Sequence, residues 1–307
     1  MTRLSTDEWK IISNAILTYL FPPASAVRYG KILTGFYKKD PSAGHRLNLK
    51  NGDFACRLSR LFLPILKSWF RYTIDGLENI PSHACLLAGN HNGGLQPIDS
   101  VITAGEISLK LGPDKPFFAL VHDYLFKEPS FTAVLEKVGG VKACSANAME
   151  AFKLDAPVLV YPGGDIDTFK PWKERNSIYL GHRRGFIKLA LENRVNILPV
   201  ASIGAHEVWF VITRGTQIAK LLNLHKHLRT DTFPIVFSLP WGITSGFFPY
   251  IPLPSKIRIR IGRELDLSRW YSKTDPDSIE EAYRVFDDEM KIMLDTLAAE
   301  RKFPVIG

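Results

Sequence analysis

The chain has few of the residues that cross-link proteins or bind metal ions. Its 307 residues include three cysteines, Cys56, Cys85 and Cys144, and none of them stands in a C-x-x-C spacing. An odd number of scattered cysteines predicts neither a disulfide framework nor a structural zinc site. His206-Glu207 lacks the second histidine of an H-E-x-x-H helix, so the sequence does not predict zinc-protease chemistry. We therefore expect no metal site.

Long apolar runs and several functional motifs are also missing. No uncharged segment reaches the ~20 apolar residues of a membrane-spanning helix without prolines interrupting it. The polar N-terminus has no signal-peptide pattern. We find no G-x-G-x-x-G, no Walker loop and no nucleic-acid-binding module, and Gly242–Gly246 places its serine wrongly for a lipase G-x-S-x-G. These absences predict a cytoplasmic protein, soluble or peripheral at the inner face of a membrane, that does not bind nucleic acid.

Positive charge is in excess. The formal net charge is +8, the sequence pI is about 9.3, and 46% of the residues are hydrophobic. The apolar content is sufficient for a folded core. The charge alone suits any polyanion, whether nucleic acid, anionic lipid headgroups or a phosphorylated carrier such as coenzyme A.

The first 72 residues are predicted to form a helical region that precedes the main domain. Helical spacing extends over 6–37 with an interruption at Pro22-Pro23. A second helix is expected through 27–37, and 38–53 has loop composition. The segment 54–72 combines a wide apolar face with basic residues near one face, namely Arg57, Arg60, Lys67 and Arg71. Such a helix suits a membrane interface. Packing against the following domain is the alternative.

Residues 73–307 alternate short apolar runs with helical stretches, which predicts an α/β fold: a largely parallel sheet flanked by helices on both faces. The predicted strands are 84–89, 117–121, 157–161, 197–203 and 256–262. The predicted helices are 100–110, 130–137, 145–154, 183–193, 214–224 and 276–302. Active groups in such folds lie on loops at the carboxyl ends of the strands.

The segment 87–100 (LAGNHNGGLQPIDS) carries the strongest chemical signal. His91 follows the end of an apolar strand by two residues, and Gly93 and Gly94 allow a ligand to approach the backbone closely. Asp99 lies where the next helix would begin. A histidine in this position can accept a proton from an attacking hydroxyl, with a carboxylate stabilising its tautomer. A turn with a surface histidine is the alternative.

A second strand end, 158–165, runs into Pro162-Gly163-Gly164-Asp165. Exposed backbone N–H groups at such a turn can bind a phosphate or a developing oxyanion. Basic residues follow closely, namely Lys170, Lys173, Arg175, Arg183 and Arg184. Their density suits phosphate recognition, and a solvated basic face explains it equally well.

Together these segments resemble the lysophospholipid and glycerolipid acyltransferase superfamily, whose blocks read NHxxxxD, FPEG and a late VPVVPV-like strand. Asn90-His91 matches the first block, Tyr161–Gly164 the third and Ile197–Val200 the fourth. The Pro-Gly-Gly form, followed by Trp172, Arg183-Arg184 and Gly185-Phe186, is most similar to the diacylglycerol/monoacylglycerol acyltransferase-like branch. The resemblance covers roughly residues 70–265.

The resemblance implies an acyltransferase mechanism at a membrane surface. His91, oriented by Asp99, would deprotonate the acceptor hydroxyl, which attacks the thioester of acyl-CoA or acyl carrier protein. Either the Gly163-Gly164 turn or N–H groups near Gly93 would stabilise the oxyanion. Acyl-CoA would be a co-substrate, and no cofactor is needed. The remaining expected contacts to acyl donor or lipid acceptor are Asn90, Gly94, Pro162, Asp165, Arg183 and Arg184, with the basic residues from 170 to 184 on phosphates.

Three positions depart from the family pattern. Gln96 occupies the usual position of the acid, so Asp99 would serve from three residues further on. Gly164 replaces the glutamate of FPEG, which favours a neutral or unusual acceptor over lysophosphatidate. The counterpart of the second block is Gly139–Ser145, with Lys142 or Ser145 as acceptor contacts.

Two alternatives stay open at the level of sequence. The altered spacing between histidine and acid is compatible with a lipid-binding member of the same fold that has no activity. Residues 232–255 contain five prolines and no charged side chain. This stretch either inserts into a bilayer, lines an acyl tunnel or packs against the sheet.

Overall fold

A seven-stranded sheet forms the centre of the fold. The computed structural model describes residues 4–20, 40–94, 96–181, 183–228, 230–248, 250–303 and 305–306. The strands of the central sheet are β1 (Thr73–Asp75), β2 (Leu86–Gly89), β3 (Phe118–Val121), β4 (Gly140–Lys142), β5 (Val158–Val160), β6 (Ile197–Ile203) and β10 (Arg258–Ile261). A second, antiparallel sheet contains β7 (Phe210–Thr213), β8 (Ile235–Ser238) and β9 (Gly242–Ser245).

The strand order places β2 near the middle of the central sheet. The order is β1-β10-β6-β2-β5-β3-β4, and every neighbouring pair is parallel except β10 with β6. All residues of β2 and β6 are buried. Parallel strands covered on both faces need such continuous apolar runs. The carboxyl ends of β2, β3, β5 and β6 therefore meet at one edge.

Helices cover both faces of the central sheet. The α-helices are α1 (Thr6–Leu20), α2 (Gly52–Phe70), α3 (Ile98–Leu111), α4 (Pro129–Val138), α5 (Ser145–Lys153), α6 (Gly164–Thr168), α7 (Gly185–Asn193), α8 (Thr216–Leu221), α9 (Leu224–Leu228) and α10 (Pro276–Ala299).

Side chains of β2 divide the core into two layers. Leu86 and Ala88 belong to one buried cluster, together with α7 and α10. Leu87 belongs to a second cluster, together with α2, α3 and the small sheet. Successive side chains of a strand point to opposite faces, so the two clusters lie on the two sides of the sheet. The result is a three-layer arrangement.

The predicted fold class, a largely parallel sheet flanked by helices with an N-terminal helix, is confirmed. All five predicted strands are present, and β1, β4 and β7–β9 are additional. The predicted helix at 214–224 is two short helices, because Asn223 takes a positive φ of 49° between them. The expected helix at 27–37 lies outside the described residues.

Helix α2 shares a core with the α/β domain. Leu63 and Phe70 of α2 pack in the same cluster as Ile102 of α3. The proposed boundary between residues 1–72 and 73–307 stays a prediction. Within the described residues, no helix is both long enough and apolar enough to cross a membrane.

Candidate active site

His91 lies two residues beyond β2, at the edge where the parallel strands end. Its ring is partly exposed and stacks on the ring of Tyr161, which follows the neighbouring strand β5, with centroids 4.9 Å apart. The adjacency of β2 and β5 thus brings the two predicted segments together. The Nδ1 atom of His91 is buried and has no hydrogen-bond partner among the described residues.

A buried ion pair fixes the main chain of His91 on both sides. Asp167 and Lys170 are fully buried, and Lys170 Nζ lies 2.8 Å from Asp167 Oδ1. Asp167 accepts a hydrogen bond from the backbone N–H of His91, and Lys170 donates to its carbonyl oxygen at 3.1 Å. Asp167 also accepts from the N–H of Tyr179 at 3.0 Å. A buried charge pair is tolerated when additional hydrogen bonds satisfy it, as here.

Burial lowers the pKa of His91 to about 3, and the charges of Lys170 and His122 act in the same direction. Desolvation disfavours the charged form of an imidazole. His91 is therefore neutral at pH 7, which is the form that accepts a proton. His122, which is exposed after β3, lies near enough to contribute, although no motif in the sequence pointed to it.

Asp99 does not hydrogen-bond to His91, in contrast to the prediction. Its carboxylate accepts from the Asn92 side chain at 2.9 Å and from the N–H of Ser100 at 2.8 Å. Asp99 is the second residue of α3, and the polar groups of the helix start and of Asn92 occupy its oxygens. The acid stands three residues later than in the family pattern, and its carboxylate hydrogen-bonds to Asn92 instead of the His91 imidazole.

Burial raises the pKa of Asp99 to about 6, and the hydrogen bonds from Asn92 and Ser100 and the charge of Lys170 only partly oppose this. Ion pairs involving Asp99 are absent from the described part of the chain. A buried carboxylate that has neutral donors but no adjacent cation titrates closer to neutrality than an exposed one.

The glycines after His91 are needed for packing. A Cβ atom at Gly94, where φ is +59°, would overlap the ring of Trp209. The carbonyl oxygen of Gly93 accepts from the Tyr250 hydroxyl at 2.6 Å, and the Trp209 and Tyr250 rings stack. The N–H groups of Gly93 and Gly94 donate to no described residue. Both predicted oxyanion sites therefore keep N–H groups that donate to no described residue: Gly93 and Gly94 in this turn, and Gly163 in the Pro-Gly-Gly turn.

The Pro-Gly-Gly turn uses its polar groups internally. Arg183 donates to the carbonyl oxygen of Gly163 at 2.9 Å and weakly to that of Pro162 at 3.5 Å, while the N–H of Gly164 donates to Tyr161 O at 3.2 Å. Arg183 also pairs with Asp165 at 2.8 Å. A turn hydrogen bond engages the N–H of Gly164, whereas the N–H of Gly163 donates to no described residue, so the assignment of this turn to an oxyanion stays a prediction.

Asp165 joins this turn to a second loop. Its other carboxylate oxygen accepts from the hydroxyl of Thr230 at 3.0 Å and from the N–H of Asp231 at 2.8 Å. Burial raises the pKa of Asp165, but the hydrogen bonds and charge of Arg183 and its other donors outweigh burial, and the net shift is downward. Asp165 is thus a structural anion rather than a substrate contact.

Most of the predicted phosphate-binding residues are engaged within the protein. Lys170 is fully buried, and Arg175 pairs with Glu207 at 3.2 Å. Arg184 pairs with Glu280 of α10 at 2.8 Å and lies 4.0 Å over the ring of Tyr283. Helix α10 thus engages Arg184, and the binding of substrate phosphate by this residue stays a prediction. In the described ranges, Lys173 alone of the five is exposed without an acidic partner.

Three further predicted contacts lie elsewhere. Asn90 is buried, and its amide exchanges two 2.8 Å hydrogen bonds with the backbone of Ser202 on β6, so it extends the sheet rather than facing substrate. Lys142 ends β4 and Ser145 follows it, and β4 is the edge strand three positions from β2. Strands lie ~4.8 Å apart, so these residues begin ~14 Å from the His91 strand. The strand order therefore separates them from the imidazole.

Asp167 and Lys170 are the main site residues that sequence reasoning missed. Lys170 was expected on phosphate because it begins a basic stretch. The only available signal was the i, i+3 spacing of Asp167 and Lys170. As for metals, groups of three histidine, cysteine, aspartate or glutamate side chains able to hold an ion do not occur in the described portion.

Comparison with known proteins identifies the family. An uncharacterised protein of Mycobacterium leprae is 27% identical over 295 residues, covering 95% of this chain and 76% of that protein. The match to a second mycobacterial relative, from Mycobacterium bovis, spans only 62% of its length. Diacylglycerol O-acyltransferase 2 of Dictyostelium discoideum is 27% identical over 277 residues, covering 85% of this chain and 78% of that protein.

Among solved structures, a 1-acyl-sn-glycerophosphate acyltransferase, PlsC, of Thermotoga maritima aligns with a TM-score of 0.46 and 14% identity over 93% of both chains. The sequence model of the diacylglycerol acyltransferase family matches residues 124–302. This match covers more than half of the 307 residues. The chain therefore belongs to the diacylglycerol acyltransferase family, within the glycerolipid acyltransferases that its motifs resemble.

Proposed function

We propose that the protein transfers a fatty acyl group from acyl-CoA to a hydroxyl of a glycerolipid or lysophospholipid at a membrane surface, with His91 as general base. One observation carries the proposal. His91 is a neutral, partly exposed imidazole at the carboxyl end of a central strand, and a buried ion pair fixes its main chain. Such a fixed position is what a general base requires.

The chemistry needs only groups of the chain and the two substrates. Neutral His91 takes the proton of the acceptor hydroxyl as its oxygen attacks the thioester carbonyl. The N–H groups of Gly93 and Gly94 receive the oxyanion of the tetrahedral intermediate. Collapse breaks the carbon–sulfur bond, and the imidazolium returns its proton to the departing thiolate. The negative charge on the intermediate offsets the low pKa of His91 during the step.

A neutral acceptor is the first choice. Gly164 stands where the family pattern has glutamate, and a Cβ at this position would overlap Arg183 Nη1. Asp165 and the carbonyl oxygen of Gly163 already accept hydrogen bonds from the Arg183 guanidinium, so fewer of its donors remain for a phosphate. The Dictyostelium relative is named for diacylglycerol. Among the described basic residues near the turn, exposed Lys173 is the group we assign to phosphates of the acyl donor.

A lipid-binding protein without activity is the second candidate. The observation that favours it is the missing hydrogen bond between Asp99 and His91. In the catalytic proposal Asp99 instead positions Asn92, which is adjacent to His91, by its 2.9 Å hydrogen bond.

The test is thiol release from long-chain acyl-CoA with lysophospholipids, monoacylglycerol or diacylglycerol as acceptors. His91→Ala should lower the rate by about 10²–10⁴-fold, the range expected for loss of a general base. The matched control is His83→Ala, since His83 is exposed and precedes the same strand. Equal rates for wild type and His91→Ala would refute the assignment of the base. If no acceptor gives thiol release, the assay is repeated with acyl carrier protein as the donor. Absence of release there as well would favour the non-catalytic candidate.

A further inference from the structure

The outer face of the small sheet is apolar and exposed. The strand register places Phe210, Phe237 and Ile243 directly opposite one another across β7, β8 and β9. These three side chains are 42%, 49% and 71% exposed, whereas their neighbours Val211 and Val236 are buried. Side chains alternate between the two faces of a sheet, so the three form one row on the solvent side.

The apolar surface continues onto helix α2. Leu239, two residues after Phe237, pairs with Ile251, and both are exposed. The next residue, Pro252, accepts a 3.0 Å hydrogen bond from the indole of Trp69. We define the docking surface as these contiguous residues and the exposed end of α2: Phe210, Phe237, Ile243, Leu239, Ile251, Ile65 and Trp69. Contiguous apolar exposure on this scale marks an interaction site.

The segment that bears this surface is strongly basic. Residues 208–263 contain eight lysines and arginines but one acid, Asp231; three of the eight, Arg214, Arg258 and Arg260, pair with glutamates outside this range. Lys220 and Lys226 are exposed on α8 and α9, and Lys67 is exposed on α2. An isologous pair of copies would bring like charges together, which opposes self-association through this face. Apolar and aromatic side chains beside lysines instead complement an anionic lipid surface.

Two residues next to the docking surface contact the His91 turn. Trp209 packs against Gly94, and the Tyr250 hydroxyl donates to Gly93 O at 2.6 Å. Gln96 in turn donates to Tyr250 O at 3.1 Å. The docking surface and the turn that carries the base are thus linked through adjacent residues, Trp209 beside Phe210 and Tyr250 beside Ile251.

We propose that the docking surface seats the protein on a bilayer that contains anionic phospholipid, with the small sheet between the lipid and the His91 turn. The proposal rests on the proposed function in that the acyl acceptor is taken from this bilayer. It assigns the membrane contact to the β7–β8–β9 face and α2, and it gives the basic residues the role of selecting anionic headgroups.

The experiment is flotation of the full chain with vesicles of phosphatidylcholine alone or of equal parts phosphatidylcholine and phosphatidylglycerol. We expect wild type to bind the anionic vesicles. Phe237→Ser/Ile243→Ser should bind at least about tenfold more weakly, because serine removes the apolar area that both side chains would bury in the lipid. Ile292→Ser on α10, 61% exposed, is the control and should bind like wild type. Lys220→Glu/Lys226→Glu should weaken binding to anionic vesicles and leave phosphatidylcholine binding unchanged.

The outcomes separate this surface from the reaction. Acyl transfer to a detergent-dispersed acceptor should be the same for wild type and Phe237→Ser/Ile243→Ser, while transfer to vesicle-borne acceptor falls. Wild type that binds vesicles but transfers nothing would refute the reaction and leave the surface intact. Unchanged flotation of the Phe237→Ser/Ile243→Ser variant would overturn the surface. A variant that binds vesicles normally but loses a dimer in light scattering would assign the face to a second copy.

Discussion

The two turns at the centre of the sheet edge differ in how their polar groups are satisfied. In the β5 turn, residues 161–170, the carboxylates of Asp165 and Asp167 are each paired with a cation, and Arg183 binds the glycine carbonyls. In the β2 turn, residues 90–99, Nδ1 of His91 has no partner among the described residues, and Asp99 has only neutral donors.

The difference indicates a division of labour. The β5 turn is a support, because its charges are neutralised internally and two of its members hold the main chain of His91. The β2 turn keeps unpaired donors and an unpaired imidazole nitrogen, which cost free energy in a folded protein unless a ligand uses them. We therefore expect stability to depend on the β5 turn, and pH dependence to arise in the β2 turn.

The largest effect is expected from breaking the support. Lys170→Met leaves Asp167 as a buried, uncompensated charge and should lower the free energy of unfolding by about 3–5 kcal/mol. Denaturant unfolding measures this loss. Lys173→Met is the control: it removes an exposed lysine three residues further on and should change the free energy of unfolding little. If both variants unfold at the same denaturant concentration, the pair does not support the turn.

The β2 turn should titrate through Asp99. The pKa of Asp99 is raised from 3.8 to about 6. The folded state therefore retains a proton that the unfolded state has released, so this contribution to stability is present below pH 3.8 and is lost as the pH rises through 6. The loss amounts to about 3 kcal/mol. In Asp99→Asn this pH-dependent loss of stability should disappear. The difference in free energy of unfolding between the variant and wild type must therefore change between pH 4 and 7.

His91 should titrate in the opposite direction. Its pKa is lowered from 6.5 to about 3, so stability from the neutral ring is present above pH 6.5 and is lost as the pH falls towards 3. Between pH 7 and 5 the loss is about 2 kcal/mol. Thermal or denaturant unfolding of His91→Gln should show a smaller loss over this interval than wild type, whereas His83→Gln should match wild type. Parallel pH curves for His91→Gln and wild type would contradict the burial of the imidazole.

The sequence predicted the strands better than the contacts between turns. Runs such as 197–203 are apolar throughout, so their burial in the middle of a sheet follows from composition. The short strands β8 and β9 were missed because proline-rich 232–255 has no clear alternation over a long window. Some side chains of that segment, such as Val236, are buried and pack in the core, whereas others, such as Phe237 and Ile243, are exposed.

The motifs predicted which turns meet, but their partners depend on strand order. His91 and Tyr161 come together because β2 and β5 are neighbours, while Lys142 is separated because β4 is the edge strand. Arg183 and Arg184 are adjacent in sequence, yet one binds the β5 turn and the other binds helix α10. No local pattern distinguishes these two arginines, since their partners lie far away along the chain.

The smallest of the four effects concerns the conformation of the β5 turn itself. Gly164 has φ +52°, and a Cβ there would overlap Arg183 Nη1, so Gly164→Ala should cost about 1–2 kcal/mol through strain and a displaced arginine. Gly185→Ala is the matched control, because no atom lies within 4 Å of its added Cβ and alanine favours the helix it begins. Denaturant unfolding should rank Gly185→Ala at or above wild type and Gly164→Ala below it. If Gly164→Ala keeps wild-type stability but loses acyl transfer, the β5 turn is itself part of the substrate site, and the division between support and site is wrong.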